Sequence, residues 1–222
     1  MSSLSMGIDE AGRGPVIGPM VVAAVILKRR EAKRLKEMGV TDSKLLSAER
    51  REELFPMIIE SAESYLIKVI EPKRIDEAVS KNMLNLLEAE VMSELIRELR
   101  PARVIVDSPM RNCRKFSDVL REFLGDSSVK IIAENKADSK YIQVASASII
   151  AKVERDRRIR ELSELTGVEI GSGYPGDPKT REAIRMILKG AEFPRDQVRW
   201  KWATINRLLE EIRGNDLTEF LD

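Results

Sequence analysis

Four acidic residues stand where a strand should end or a helix should begin: Asp9, Glu10, Asp107 and Asp138. Carboxylates gathered at one point repel each other, and some of their pKa values rise unless a cation is present. Magnesium and manganese are hard ions that prefer carboxylate and water oxygens. Two such ions about 3.5–4 Å apart activate a water and stabilise the leaving oxygen when a phosphodiester is cleaved. The composition presses the same way. The chain contains no histidine, so histidine-based triads and zinc sites are excluded, and carboxylates with hard metals, or an activated Lys, Tyr, Ser or Cys113, are the remaining tools.

Each acid also has an ordinary structural reading. Asp107 opens Asp107-Ser108-Pro109, a common turn start. Asp138 suits a helix cap, and Asp9 suits an ion pair with Arg13. Neighbours on a strand point to opposite faces, so Asp9 and Glu10 serve one site only if the strand breaks at Glu10. The glycines of Gly12-Arg13-Gly14 make such a break plausible.

The elements that must position these residues follow from periodicity. Leu4, Met6 and Ile8 alternate toward Asp9 as a short strand, and Pro19–Leu27 and Ser64–Ile70 read as two more, the latter after a helix capped by Ser47. A helix from about Met83 to Leu99 carries Leu84, Leu87, Val91 and Leu95 on one face and stops at Pro101. Val104-Ile105-Val106 is wholly apolar, as in a strand buried on both faces, and ends at Asp107. A helix through Phe116 and Leu120 closes at Gly125. Then come a strand over Val129–Ala133 and a long helix beginning near Asp138. Asp177-Pro178 marks a capped helix that ends at Gly190, and Ile205, Leu208, Leu209 and Ile212 mark a last helix ending near Gly214. The order predicts an α/β domain with a mixed sheet and a C-terminal helical part.

Several stretches keep a fixed order: Gly7-Ile8-Asp9-Glu10-Ala11-Gly12-Arg13-Gly14, Asp42-Ser43-Lys44, Val106-Asp107-Ser108, Lys136-Ala137-Asp138-Ser139-Lys140-Tyr141, Ser146 to Val153, and Gly171-Ser172-Gly173-Tyr174-Pro175. Together they resemble ribonuclease HII, and the Gly-Ser-Gly-Tyr form is most similar to its archaeal and eukaryotic branch. The resemblance implies a ribonuclease H-like fold: a five-stranded mixed sheet flanked by helices, over residues 1–165, with a C-terminal helical region over 166–213. It implies endonucleolytic hydrolysis of RNA in RNA–DNA hybrids, and cutting 5′ of ribonucleotides embedded in duplex DNA, leaving 3′-hydroxyl and 5′-phosphate ends. Asp9, Glu10, Asp107 and Asp138 would be catalytic and hold two Mg2+ or Mn2+ ions. Gly12, Arg13 and Gly14 would read the 2′-hydroxyl, which distinguishes RNA from DNA; bulk at Gly12 should then lower cleavage far more than folding. Tyr174 would pack on the next sugar, and Lys44, Ser148 and Lys152 would lie near phosphates.

Two basic stretches invite a nucleic-acid reading. Arg155, Arg157, Arg158 and Arg160 alternate with acids, which favours a solvated helix face. In Arg199-Trp200-Lys201-Trp202 the tryptophans suit anchoring of a helix to the core better than stacking on bases. Residues 214–222 form a tail whose Leu217, Phe220 and Leu221 resemble a sliding-clamp-binding peptide, with Gly214 where such peptides begin with glutamine.

Net charge is +1, so any phosphate-binding surface must come from local arrangement rather than overall charge. With 43% of 222 residues hydrophobic, a sizeable core is available. The dense charge of both signs and the scarcity of glutamine lean toward a thermophile. No apolar run reaches membrane-spanning length, the start lacks a signal-peptide profile, and the lone Cys113 excludes an internal disulfide. A monomer in the cytoplasm is expected. Two competing readings remain: another two-metal nuclease, such as a junction resolvase, and a non-catalytic nucleic-acid binding module with structural carboxylates.

Overall fold

The computed structural model describes residues 4–125 and 128–218, with side chains as far as residue 211. In chain order its elements are β1 (Leu4–Ala11), β2 (Met20–Lys28), α1 (Arg29–Glu37), a 3-10 turn (Ser43–Leu45), α2 (Ala48–Ser61), β3 (Ser64–Ile70), α3 (Pro72–Ser80), α4 (Leu84–Leu99), β4 (Arg103–Asp107), α5 (Cys113–Leu124) and β5 (Lys130–Glu134). A second 3-10 turn (Ala137–Ser139), α6 (Ile142–Thr166), α7 (Pro178–Leu188), a third 3-10 turn (Arg195–Gln197) and α8 (Ala203–Thr218) complete it. None of the described helices is long and apolar enough to cross a membrane.

The chain divides into two compact units. The first takes Met1–Ala11, Val21–Val69 and Leu84–Glu154. The second takes Gly12–Met20, Ile70–Met83 and Arg155–Asp222. The two units are interleaved along the sequence, because the glycine loop and α3 pack with the C-terminal residues.

The first unit holds the five-stranded sheet, in the order β3-β2-β1-β4-β5. β1 runs antiparallel to β2 and parallel to β4, and β4 runs parallel to β5, so the sheet is mixed as expected. β2 lies between β1 and β3 and is buried along almost its whole length, which explains its unbroken run of Val, Ala, Ile and Leu. Val21, Ala23, Val25 and Leu27 share a core with α1, α2 and the apolar side of α6. Gly7 is what lets α6 come so close: a Cβ there would lie 2.2 Å from the backbone carbonyl carbon of Gln143.

Local signals placed several ends correctly. Ser47 Oγ accepts from Arg50 N–H, Gly125 closes α5 at φ 64°, and Asp177 caps α7 ahead of Pro178. Three readings need correction. The long helix begins at Ile142, not near Asp138, because Lys136 adopts a left-handed conformation (φ 56°) and a separate 3-10 turn follows it. The last helix does not end at Gly214 but continues to Thr218. The expected break of β1 at Glu10 is one-sided: the ladder with β2 persists to Ala11↔Val21, whereas pairing with β4 ends at Ile8↔Val106.

Candidate active site

Three parallel strands, β1, β4 and β5, end at the same edge, and an aspartate leaves each end. In open α/β sheets ligands gather at such carboxyl ends. The β1–β4 pairing stops at Ile8↔Val106, so Asp9 and Asp107 occupy the next register on the same face, beyond the last paired residues. Asp138 follows β5 in the 3-10 turn. One carboxylate oxygen from each of Asp9, Asp107 and Asp138 falls within 4.8 Å of the others. Asp9 and Asp138 are buried, at 4% and 3% exposure, and Asp107 is partly open.

Backbone and hydroxyl donors hold the acids in place. Glu10 N–H donates to Asp9 Oδ1 at 2.8 Å, and the Ser148 hydroxyl of α6 also bonds this carboxylate. Ala137 N–H donates to Asp107 Oδ1 at 2.9 Å. Asp138 Oδ1 accepts from Ser139 N–H at 2.9 Å, and Lys44 Nζ lies 3.5 Å from its Oδ2. Lys44 is placed by its own turn, where its N–H bonds Asp42 Oδ1. Sequence reading put Ser148 near phosphates. It is 2% exposed, and its hydroxyl also meets that of buried Ser43 at 2.8 Å. Ser43 was overlooked; only its place between Asp42 and Lys44 marked it.

The electrostatics are those of a crowded anionic pocket. Burial, then the charges of Glu10 and Asp107, hold the Asp9 carboxyl well above its usual range, against the bonds from Ser148 and Glu10 N–H. Burial also raises Asp107, with Asp138 adding to it and the Ala137 bond opposing. Burial works against the Lys44 ammonium, but Asp138, Asp42 and Asp9 together raise it. Crowded, buried oxygen donors at one point fit a hard divalent cation. Glu10 is not one of the three acids that share the point, but its charge acts on Asp9.

The second unit contains the glycine loop and Tyr174. Gly12 has φ +86°, and a Cβ there would meet Arg155 Nε at 2.4 Å and Pro19 O at 2.8 Å. Substitution at Gly12 therefore damages packing as well as any contact with a ligand. Gly14 is different: its Cβ would meet only the Tyr174 ring, at 3.4 Å. The Tyr174 side of this arrangement is tied to the loop by Val16 N–H and Ile17 N–H, which both donate to Gly173 O at 2.8 and 3.3 Å. Tyr174 itself is 40% exposed.

Arg155 does not belong to a solvated face. It is 3% exposed, donates to Ser172 O at 3.0 Å and sits 5.3 Å from the Tyr174 ring centre. Its spacing from buried Ala151 and Ile159, four residues either way, is the helical signal that was available. In the Arg199 stretch Trp200 packs partly buried on the second unit's core, but the deepest residue is Arg199 itself, with no exposure. Burial and the nearby Arg155 push its pKa down to about 9, against Tyr174 and Asp76. Lys152 lies partly buried on α6. Phe220 and Leu221 lie outside the described residues, as does the side chain of Leu217.

Comparison with known proteins is consistent throughout. The family model Ribonuclease HII matches residues 6–205. A ribonuclease HII from Thermococcus sibiricus is 44% identical over 210 residues, covering 93% of this chain and 92% of its own. The crystal structure of the ribonuclease H2 from Pyrococcus horikoshii OT3 superposes with a TM-score of 0.83 at 39% identity, covering 95% of this chain and 99% of that one. A ribonuclease HII from Archaeoglobus fulgidus, solved in a complex with PCNA, gives a TM-score of 0.81 at 42% identity, covering 92% of this chain and 96% of that one.

Proposed function

Since the chain belongs to the ribonuclease HII family, ribonuclease H enzymes on a ribonuclease H-like fold, we propose that it is a metal-dependent endonuclease for RNA in duplexes with DNA. It hydrolyses the RNA strand of RNA–DNA hybrids. It also cuts on the 5′ side of ribonucleotides embedded in duplex DNA, leaving a 3′-hydroxyl and a 5′-phosphate. The observation that carries this reading is the convergence of Asp9, Asp107 and Asp138 to within 4.8 Å at the ends of three parallel strands and their connections. Three acids facing a phosphate repel it unless cations intervene, which argues against an idle binding module.

Asp9, Asp107 and Asp138 are the residues that hold the cations, Mg2+ or Mn2+, and Glu10, whose charge reaches Asp9, joins them as a fourth acid. Ions held there would supply Lewis-acid charge to the phosphate and would lower the pKa of an attacking water. Ser148 and the Glu10 N–H orient Asp9, the Ala137 N–H orients Asp107, and Lys44 balances Asp138 while offering a cation to a phosphate. Lys152 takes a similar phosphate role from α6. Gly12, Arg13 and Gly14 recognise the 2′-hydroxyl, and Tyr174 packs on the following sugar.

A labelled duplex with one ribonucleotide, incubated with and without Mg2+ or Mn2+, tests the reading directly. Cleavage 5′ of the ribonucleotide, only with metal and abolished in a folded Asp107→Asn variant, is expected. Cleavage of an all-DNA four-way junction instead would transfer the assignment to a resolvase. Glu10→Gln should also lose most activity. For the tail, Leu217, Phe220 and Leu221 engage a sliding clamp, as the PCNA complex of the Archaeoglobus fulgidus relative suggests. Removal of residues 214–222 should then abolish clamp binding in a pull-down and leave cleavage of short duplexes intact. The enzyme acts as a cytoplasmic monomer in this reading.

A further inference from the structure

Among the described residues, Arg199 is the largest side chain with no exposure at all. A buried guanidinium is costly unless it is fully hydrogen-bonded, and an apolar replacement is often no less stable. Its partners are unusual. Nε donates to Gly18 O at 2.9 Å, Nη1 to Arg13 O at 3.1 Å and Nη2 to Gly12 O at 2.7 Å. All three acceptors are backbone carbonyls of one loop, and none is a carboxylate. The strand-like contact Ile17↔Val198, with Arg199 N–H donating to Val16 O and Gly18 N–H to Gln197 O at 2.8 Å each, fixes the base of the fork.

Peptide planarity turns these bonds into a statement about the other edge of the loop. In a trans peptide the C=O of one residue and the N–H of the next point in opposite directions. With the carbonyls of Gly12 and Arg13 both drawn onto one guanidinium, the N–H groups of Arg13 and Gly14 are turned away from it, side by side. Two adjacent donors that share a direction suit a hydroxyl oxygen. Arg155 braces the same loop: its Nη2 lies 3.5 Å from Ile17 O, and its side chain fills the space where Gly12 would carry a Cβ. A lysine could replace the charge of Arg199 but not three bonds in a fixed plane.

We infer that Arg199 is a positioning residue for sugar selectivity: its fork sets the Arg13 and Gly14 amides toward the 2′-hydroxyl and thereby sets how strongly ribose is preferred over deoxyribose. The inference rests on the reading of Gly12-Arg13-Gly14 as the ribose-recognising loop.

The test compares the full chain with Arg199→Lys and with Leu208→Ala, a variant that opens the second unit's core away from the loop. Affinity is measured with Ca2+ present, for a duplex with one ribonucleotide and for the same duplex in all-DNA form. Loss of one or two oriented hydrogen bonds predicts a roughly tenfold or greater fall in the ribose preference of Arg199→Lys. All-DNA affinity should be unchanged. Leu208→Ala should lower the melting temperature yet keep the preference. A ribose preference retained in Arg199→Lys overturns the inference. No preference in the unsubstituted protein overturns the loop reading itself, and the inference with it. If Arg199→Lys does not fold, 15N spectra of the unsubstituted protein decide. Slowly exchanging Arg199 guanidinium protons, with Arg13 and Gly14 amides that shift only on adding the ribonucleotide duplex, support the inference. Exchange as fast as in an exposed arginine, or unmoved amides, overturns it.

Discussion

Replacing Asp9 by asparagine should make the metal-free protein more stable while removing its activity. Asp9 is 4% exposed and shares a space 4.8 Å across with two other carboxylates. At that separation, two full charges in a medium of effective dielectric about 20 repel by roughly 3.5 kcal/mol. Partial protonation already relieves some of this, since Asp9 and Asp107 both titrate above the usual range. A gain of about 1–3 kcal/mol is therefore expected, or roughly 2–12 °C in melting temperature for a chain of this size. Asparagine keeps an oxygen that can accept from Glu10 N–H and Ser148, so little packing is lost. The assay is thermal unfolding in EDTA and again in excess Mg2+. The metal should stabilise the unsubstituted protein and do little for Asp9→Asn. If the variant melts lower than the parent in EDTA, or both gain equally from Mg2+, the acids are not a frustrated cation site and the argument fails.

Three further outcomes follow from the same geometry. Raised folded-state pKa values mean that the metal-free protein has the full stability contribution of Asp9 and Asp107 below the usual carboxylate range and loses it as pH rises through the raised values; Mg2+ binds the deprotonated form, so its melting-temperature gain should be larger at pH 8 than at pH 5, and equal gains would contradict this. Ser148→Ala leaves the Ser43 hydroxyl buried without its 2.8 Å partner and removes a bond that favours ionised Asp9, so about 1–2 kcal/mol of stability and several-fold in Mg2+ affinity should go; calorimetry checks both. Gly7→Ala forces a methyl to within 2.2 Å of the α6 backbone, and a loss of roughly 1–3 kcal/mol or more in denaturant unfolding is expected.

Much of the sheet could be read from the chain because its signals are local. Val104-Ile105-Val106 is apolar on both faces, and the caps at Ser47, Gly125 and Asp177 act within a turn of their own residue. α1 and α3 were not foreseen. Each buries only two or three side chains, Ala32 and Leu35 in one, and Pro72, Ile75 and Ala78 in the other, so neither shows a long apolar stripe. Within the site, Asp9 and Asp107 were legible from where their strands stop. The meeting with Asp138 depends on a left-handed Lys136, which no periodicity reveals. The burial of Arg155 and Arg199 was hidden for a different reason: their partners are carbonyls up to 187 positions away, and a carbonyl leaves no mark on residue type.

The three aspartates give one oxygen each to a shared point, and Mg2+ seeks about six in octahedral array. Even with Glu10 as a fourth donor, part of the shell would be left for solvent and for the nucleic acid's own phosphate oxygens. Ion and duplex should consequently recruit each other: Mg2+ alone binds loosely, a scissile phosphate tightens it, and the ion tightens the duplex by the same factor. In the proposed enzyme such a centre would stay incomplete until the molecule to be cut supplied its last oxygens.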